Sequence, residues 1–448
     1  MIIKQFEDKG LAHYSYAVLS ECKSEIILID PSRDIQPYLS FATDHLATII
    51  GVIETHPHAD FVSGHLELHK KTGATIYCSK LVGAEYPHQT FDNGDKIEFG
   101  KITLLALNTP GHSPDSICIL LEHEGKQKAV FTGDTLFIGD CGRPDLRENS
   151  GNFKAKQKEL ARDMYYSLHE KLMVLENTTI VHPAHGAGTL CGKALSDSNQ
   201  STIGEEKETN WCMKDMSEKD FVETLTTDQP FIPHYFPFDV GINKSGAPNL
   251  EESLLKVPVL NSEEEINNSV LIVDGRPEHI FKKGHFKGAI NIQNGGKFET
   301  WLGSVIKPEE RFYLIGADEK EVKDLLYKAA KIGYESNVSG LLWKISDAHD
   351  DITDSLDLEK FKRSPQDFTI VDIRNKSEVK EGKPFTTSIE IPLPELRERL
   401  NEIPTDKPVV IHCAGGYRSA IGSSLVEAKL KGQNIFDLGE KVKEFIKN

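Results

Sequence analysis

The chain has 448 residues, of which 38% are hydrophobic and 27% are charged, and its net charge is −17. This length predicts several domains of ordinary globular composition. The acidic charge excludes a general nucleic-acid or anionic-membrane binder, and no apolar run approaches the ~18 residues of a spanning helix or resembles a signal peptide. The seven cysteines, an odd and sparse number, do not indicate a disulfide framework, so we expect reduced thiols and a cytoplasmic location.

Residues 1 to about 200 alternate short apolar strands with a few helices, which indicates a layered α/β sandwich. We expect strands over 25–31, 47–56, 74–79, 101–112, 116–122, 128–134 and 178–186, and helices over 60–72 and 155–175. Residues 201–255 are expected to form a connector packed on the domains. It contains a charged stretch, a short amphipathic piece at 217–226 and an extended segment, QPFIPHYFPFDV, at 229–240.

The remainder of the chain contains an internal repeat. LIVDGRPEHIFKKGHFKGAINI at 271–292 recurs as TIVDIRNKSEVKEGKPFTTSIEI at 369–391, with an Asp-x-Arg motif at the same place in both. Each copy continues into a second strand followed by a helix. This order predicts two small α/β domains with parallel sheets, over 256–350 and 360–448.

Histidine and aspartate follow the ends of several predicted strands. Since strand ends in α/β proteins meet at a common edge, we expect these side chains to lie together. Any single histidine would more simply be a surface or core residue, but the whole set is typical of a metal site. The set comprises His56, His58 and Asp60 in THPHADFVSGH, then His112, Asp134, His182 and His185.

This arrangement resembles the metallo-β-lactamase superfamily, whose pattern is H-x-H-x-D-H, then a His, a bridging Asp and a final His. The resemblance covers residues 1 to about 200. Phe61 stands where two-metal members have a histidine ligand, so a single ion on His56, His112 and Asp134 is implied. Two histidines and a carboxylate suit mononuclear non-haem Fe(II), which binds O2 and substrate together. Zinc is the alternative metal and would make the site hydrolytic.

The loop GDTLFIGDCGRPDL at 133–146 looks like the persulfide dioxygenase branch of that superfamily, which uses iron, rather than the glyoxalase II branch. The resemblance leaves His58, Asp60 and His185 to orient the ligands or to hold an alternative metal.

Several further residues near these motifs have two interpretations each. Arg143 either binds an anionic group of the substrate or pairs with Asp145. Cys191 is either a small buried thiol or a relay that accepts persulfide sulfur. His65 and His69 share a helix face at a spacing that zinc pairs use, but we expect them at the surface.

Cys413 lies between a strand and a helix in PVVIHCAGGYRSAIGSSLVEAKLK. Backbone N–H groups of the Gly-rich turn and the helix N-terminus favour an anionic sulfur there. We expect Cys413 and Arg418 to be catalytic, and the tight turn of Gly415, Gly416 and Tyr417 to bind substrate.

This motif matches the rhodanese family over 365–448. The four residues between Cys413 and Arg418 form a smaller loop than the five of tyrosine phosphatases, which favours a persulfide sulfur over a phosphate. The copy at 256–350 resembles a rhodanese too. It contains no cysteine and is expected to be inactive in sulfur transfer.

The combined resemblance is to persulfide dioxygenase–rhodanese fusions of sulfide detoxification. It implies an αββα sandwich followed by two rhodanese-like domains. It further implies oxidation of a low-molecular-weight thiol persulfide by O2 to sulfite, and transfer of sulfur through Cys413 to sulfite, giving thiosulfate. The expected partners are these small molecules, without nucleic acid or membrane, and a homo-oligomer is expected. The alternative is a glyoxalase II-type zinc thioester hydrolase with an appended sulfurtransferase.

Overall fold

A computed structural model of the protein describes residues 1–146, 153–193, 195–196, 198–346, 351–430 and 432–446. The chain divides into two compact units, the first comprising 1–252 with 331–333 and the second 253–330 with 334–448. The domain ends predicted at residues 350 and 448 lie outside the described residues. Within the described ranges, no helix has both the length and the apolar character needed to cross a bilayer.

Two six-stranded sheets form the centre of the first unit. In the first sheet the strands stand in sequence order, and the pairs from β3 onward are parallel. Its strands are β1 (Ile2–Asp8), β2 (His13–Ser20), β3 (Glu25–Ile29), β4 (Thr48–Ile53), β5 (Thr75–Cys78) and β6 (Gln89–Thr90). The second sheet has the order β12-β11-β10-β9-β8-β7, and its β10–β11 pair is parallel. Its strands are β7 (Lys96–Phe99), β8 (Ile102–Asn108), β9 (Ile117–His123), β10 (Lys126–Gly133), β11 (Ile180–Pro183) and β12 (Ser201–Thr202).

Helices cover the outer faces of both sheets, which confirms the predicted αββα sandwich. Strand β3 explains why the buried strands are apolar on both faces: Ile27 and Ile29 belong to the core between the sheets, and Ile26 and Leu28 pack with the helices. The helices beside the sheets are α1 (Gln36–Asp44), α2 (His65–Thr72) and α3 (Phe153–Tyr166), which continues as a π-helix over Ser167–Leu172.

The connector contains more helix than the sequence predicts. Its helices are α4 (Ile203–Thr209), α5 (Glu218–Thr226), α6 (Tyr235–Ser245) and α7 (Leu250–Leu255). The expectation of an extended segment over 229–240 is wrong in its second half, because α6 begins at Tyr235. Pro237 lies in the first turn of α6, where a backbone N–H has no intrahelical acceptor, so the proline does not interrupt the helix.

The second unit holds two four-stranded parallel sheets with the same topology, as the repeat predicts. Their orders are β14-β13-β15-β16 and β18-β17-β19-β20. The first comprises β13 (Leu271–Asp274), β14 (Ile290–Asn291), β15 (Phe312–Ile315) and β16 (Val338–Leu342), with helices α8 (Glu278–Phe281), α9 (Phe298–Val305) and α10 (Glu319–Lys331). The second comprises β17 (Thr369–Asp372), β18 (Ile389–Glu390), β19 (Val409–His412) and β20 (Ile435–Asp437), with α11 (Leu358–Arg363), α12 (Lys376–Glu381), α13 (Leu393–Leu396) and α14 (Tyr417–Lys429).

The Asp-x-Arg motif has the same structural role in both repeats. Arg276 contacts the Asp274 carboxylate at 2.6 Å and donates to the carbonyl of Gly284. Arg374 contacts Asp372 at 2.7 Å and donates to a glycine carbonyl at the equivalent position. All four side chains are at most 9% exposed, so the motif pins the loop after the first strand of each sheet.

Candidate active sites

Two groups of potential metal ligands lie together at the strand ends of the first unit. His56, His112 and Asp134 form one group, and His58, Asp60 and His185 form the other; within each group the ligand atoms lie within 4.8 Å of one another. Asp134 joins the two groups, because its oxygens lie 3.5 Å from Nε2 of His112 and 3.5 Å from Nε2 of His185. Strand-end geometry therefore brings together residues that are up to 129 positions apart in sequence.

The chemistry of these side chains fits a bound metal ion. Both oxygens of Asp134, Oδ1 of Asp60 and Nε2 of His185 are buried and form no hydrogen bond with the described residues. Burial raises the pKa of the Asp134 carboxyl to about 6, since a charged carboxylate is costly in a site from which water is excluded. A cation would supply the missing partner for these atoms.

Hydrogen bonds to the outer ring nitrogens orient three of the histidines. Nδ1 of His56 lies 3.0 Å from the Thr55 hydroxyl, and Nδ1 of His112 lies 3.0 Å from the carbonyl oxygen of Arg143. Nδ1 of His185 lies 3.2 Å from the carbonyl oxygen of the residue that precedes β2. These contacts direct the three Nε2 atoms toward Asp134, as outer partners of metal-binding histidines do.

Phe61 is buried beside the candidate metal ligands. Its ring is 1% exposed and lies between two imidazoles, with centroid distances of 4.3 Å to His58 and 3.8 Å to His13. His58 itself faces Asp30, whose Oδ1 lies 3.0 Å from its Nε2. Burial alone lowers the pKa of His58, but the charge of Asp30 outweighs it and raises the pKa to about 9. On this side of the site, His58 is thus engaged by a carboxylate outside the two ligand groups.

Arg143 is buried, and its donors are directed at acceptors of the protein itself. Its side chain is 1% exposed and forms a bidentate pair with Asp145, at 2.6 and 2.8 Å. The same guanidinium donates to the carbonyls of Leu190, Pro230 and Phe231. Of the two interpretations, the structure supports the ion pair within the loop, and the expected substrate contact is corrected accordingly. The side chain ties the 142–146 loop to the connector while its own carbonyl orients His112.

Cys191 and His182, two other residues singled out in this domain, have different surroundings. Cys191 is 1% exposed and its sulfur lies in a cluster with Asp134 and His185. His182, in β11, stacks on Phe131 instead. Successive residues of a strand point to opposite faces, so a position at a strand end does not by itself direct a side chain to the site. The expectation that His65 is a surface residue is wrong.

His65 is fully buried, and its Nδ1 lies 3.6 Å from a carboxylate oxygen of Glu54. Burial lowers the pKa of His65 to about 3. His69, four positions on, is only partly buried and contacts the carbonyl of Ala74 at 2.8 Å. The two histidines therefore do not act as a pair.

Asn243 of α6 is a site-supporting residue that sequence patterns did not reveal. Its side-chain nitrogen donates to the carbonyls of His58 and Phe61, at 2.8 and 2.7 Å, and its oxygen accepts from the backbone of Ser63 at 2.8 Å. The residue is 1% exposed. Its one sequence signal is an asparagine four positions after Asp239 in the helix, which by itself names no partner.

The Cys413 loop connects β19 to α14 in the second unit. Cys413 is 2% exposed, and the backbone N–H of Gly416 donates to its sulfur at 3.1 Å. Gly416 has φ +105°, and a Cβ there would lie 3.0 Å from the backbone nitrogen of Glu440. Gly415, by contrast, is exposed and has open space where a Cβ would stand, so only one of the two glycines is required by the turn.

Arg418 makes a bidentate ion pair within the same repeat. Its two terminal nitrogens each lie 2.6 Å from an oxygen of Glu378, in α12. Burial alone raises the pKa of Glu378, but the hydrogen bonds from Arg418 prevail and lower it. The expected cation is therefore at the Cys413 loop, held in a fixed orientation by a carboxylate that sequence patterns did not single out.

The equivalent loop of the other repeat contains neither a cysteine nor an arginine. Between β15 and α10 it runs through Ala317 and Asp318, where the Cys413 loop would be. The backbone N–H of Ala317 donates to Glu321, and that of Glu321 donates to Asp318. The N-terminal amides of the helix are thus occupied by carboxylates of the chain itself, which disfavours an anionic ligand.

Comparisons with known proteins match both parts of the chain. The metallo-beta-lactamase superfamily model covers residues 10–185, and the rhodanese-like domain model covers 356–447. Persulfide dioxygenase ETHE1, mitochondrial, of Mus musculus is 30% identical over 216 residues, 47% of this chain and 74% of the relative. A cytoplasmic hydroxyacylglutathione hydrolase of Arabidopsis thaliana is 32% identical over 176 residues, 39% of this chain and 63% of the relative.

A solved structure extends the similarity. The crystal structure of a metallo-beta-lactamase from Staphylococcus aureus is 34% identical, with a TM-score of 0.70, and the match covers 76% of this chain and 98% of that one. A match over 76% of the chain is longer than the first unit, so it extends into the second. The first unit carries the two groups of candidate metal ligands described above. The chain therefore belongs to the metallo-β-lactamase superfamily, with an N-terminal region homologous to the ETHE1 persulfide dioxygenases and a C-terminal rhodanese domain.

Proposed function

We propose that this protein oxidises a low-molecular-weight thiol persulfide with O2 to sulfite, and transfers persulfide sulfur through Cys413 to sulfite. The proposal is supported by one combination: a buried His56, His112 and Asp134 group in a region homologous to persulfide dioxygenases, with Phe61 where a second metal would need a ligand. Mononuclear Fe(II) held by those three residues would supply the redox chemistry that couples O2 to the oxidation of sulfur.

The oxidation balances with one O2 and one water for each persulfide. The sulfur–sulfur bond of the persulfide breaks, the outer sulfur takes up three oxygen atoms as sulfite, and the thiol and two protons are released. The chain's part in this step is to exclude bulk water and to orient the ligands. His56, His112 and Asp134 are at most 2% exposed, and Thr55 with the Arg143 carbonyl directs the imidazoles inward.

The transfer step uses the sulfur of Cys413. Its thiolate attacks the outer sulfur of a second persulfide, the thiol leaves with the electron pair, and a Cys413 persulfide forms. Sulfite then attacks the outer sulfur, so that thiosulfate departs and the thiolate is restored. The Gly416 N–H, 3.1 Å from Sγ, stabilises the negative charge on the sulfur in both states, and Arg418 contributes a cation near the loop.

Oxygen uptake tests the oxidation directly. The protein is loaded anaerobically with Fe(II) and mixed with glutathione persulfide or coenzyme A persulfide in an oxygen-electrode cell. We expect uptake that is lost in His112→Ala, and sulfite as the product. An iron-saturated protein that consumes no oxygen with either persulfide would refute the proposal. For the transfer, Cys413→Ser should leave oxygen uptake unchanged and abolish thiosulfate formation.

A glyoxalase II-type zinc thioester hydrolase is the second candidate for the first unit. The similarity to a hydroxyacylglutathione hydrolase over 176 residues favours it. Phe61 disfavours it, because a histidine at this position would provide a ligand for a second metal. The two functions separate on metal content and substrate. A zinc-loaded protein that hydrolyses S-lactoylglutathione, together with an iron-loaded protein inert toward persulfides, would support the hydrolase.

A further inference from the structure

The repeat that lacks a cysteine contacts the Cys413 loop of the other repeat within the second unit. The hydroxyl of Tyr417 donates to the backbone carbonyl of Gln293 at 2.6 Å. The guanidinium carbon of Arg418 lies 5.8 Å from the ring centre of Trp301, in α9. Tyr417 and Arg418 are the last two residues of the expected sulfur-transfer motif. The repeat that lacks a cysteine therefore contacts two expected functional residues of the other repeat.

Arg418 is held from two directions that come from different repeats. Glu378, in the repeat that carries Cys413, accepts two hydrogen bonds of 2.6 Å from the guanidinium edge. Trp301 of the other repeat lies against the guanidinium within the range of cation–π attraction. A guanidinium held by a carboxylate alone could still swing about that contact, whereas a second contact on the ring side restricts the movement.

The same contacts leave one side of the loop accessible. Ala414 and Gly415 are exposed, while Cys413 beneath them is 2% exposed. Tyr417 is fixed by Gln293, and its ring lies 3.4 Å from the position of a Cβ at Gly295. A sulfur donor would therefore approach Cys413 over 414–415, with the side of Arg418 bounded by the other repeat.

We infer that the repeat without a cysteine completes the sulfur-transfer site, with Trp301 as a positioning residue that holds Arg418 for anionic sulfur donors and acceptors such as thiosulfate and sulfite. The inference rests on the proposed transfer through Cys413. It gives this repeat a role in substrate selection, although its sequence predicts no sulfur transfer of its own. Trp301 itself takes no part in bond making.

The test uses the full chain with thiosulfate as sulfur donor and cyanide as acceptor. In the first half-reaction the Cys413 thiolate attacks the outer sulfur of thiosulfate, the sulfur–sulfur bond breaks, and sulfite leaves with the electron pair. Trp301→Ala is expected to raise KM for thiosulfate about fivefold while kcat stays within about twofold. The reason is that Trp301 holds Arg418, the cation that pairs with the bound anion, and takes no part in bond making. Trp301→Phe, which keeps an aromatic face, should restore KM to within about twofold.

Trp343→Ala is the matched control, because it removes a tryptophan from the same repeat. Trp343 forms no hydrogen bond or ring contact with the Cys413 loop among the described residues, and its removal should leave KM unchanged. An unchanged KM in Trp301→Ala would overturn the inference. So would equal losses in Trp301→Ala and Trp301→Phe together with lowered thermal stability, which would assign the tryptophan a purely structural role. Transfer that persists in Cys413→Ser would refute the proposed transfer through Cys413 and, with it, the inference about Trp301.

Discussion

Replacing Asn243 by alanine should loosen the metal-site loop and weaken metal binding together. The side chain makes three buried hydrogen bonds to the backbone of the loop that carries His58 and Asp60, at 2.7 to 2.8 Å. Each such bond contributes about 1 kcal/mol, and a buried group left without a partner costs about 1–3 kcal/mol. We therefore expect a loss of about 3 kcal/mol, a change of about a hundredfold in the folding equilibrium of the first unit.

For a unit of this size, that loss corresponds to a melting temperature lower by about 6–12 °C. Iron affinity should fall by about 10–100-fold, as it does when residues behind metal ligands are removed. Differential scanning calorimetry measures the first effect, and iron content after dialysis against a graded chelator measures the second. Ser245→Ala is the matched control, because Ser245 is exposed at the end of the same helix and, among the described residues, bonds only to carbonyls of that helix.

Asn243→Ala that melts and retains iron as Ser245→Ala does would contradict the predicted role of this side chain. In that case the loop would be held by its own packing, and the connector helix would contribute nothing measurable to the site. If Asn243→Ala lost stability but bound iron normally, the three hydrogen bonds would stabilise the fold without orienting the metal ligands.

Three further outcomes follow from the geometry. Phe61→His adds an imidazole beside the His58, Asp60 and His185 group, so zinc content by mass spectrometry should rise from about one to about two ions per chain, and an unchanged content would count against the assignment. Gly416→Ala should lower sulfur transfer more than about tenfold, because φ is +105°, whereas Gly415→Ala should stay within about twofold. Equal effects of the two glycine variants would contradict the turn geometry. Arg418 lowers the pKa of Glu378, so this carboxylate stabilises the fold above its unfolded pKa of about 4.5, and the benefit disappears as the pH falls through the folded value. The stability difference between the wild type and Glu378→Gln should accordingly shrink on acidification in urea titrations, and a constant difference would contradict the ion pair.

The sandwich and the repeat could be predicted because their signals are local. Strands such as β3 and β10 are short apolar runs bounded by turn residues, and the repeated Asp-x-Arg motif marks equivalent positions of two sheets. The strand-end histidines and aspartates were informative for the same reason. Parallel strands of one sheet deliver their ends to one edge, so a pattern in sequence becomes proximity in space.

Local patterns were misleading where a side chain's partner is distant in sequence. The proline-rich segment continued into α6 because a proline in the first helical turn costs no hydrogen bond, and His65 was buried by contacts with the core and with Glu54. Arg143 could not be assigned between substrate and loop until its acceptors at 190, 230 and 231 were known.

The sequence by itself determined the superfamily resemblance, the two-repeat C-terminal half and the residue types at both candidate sites. Only the tertiary structure decided which groups support them: Asn243 behind the metal loop, Glu378 on Arg418, and Trp301 from the repeat without a cysteine. The physical reason is that periodicity and motif spacing record contacts along the chain. The partners of a buried polar group are set by packing between segments, which leaves no fixed spacing to read.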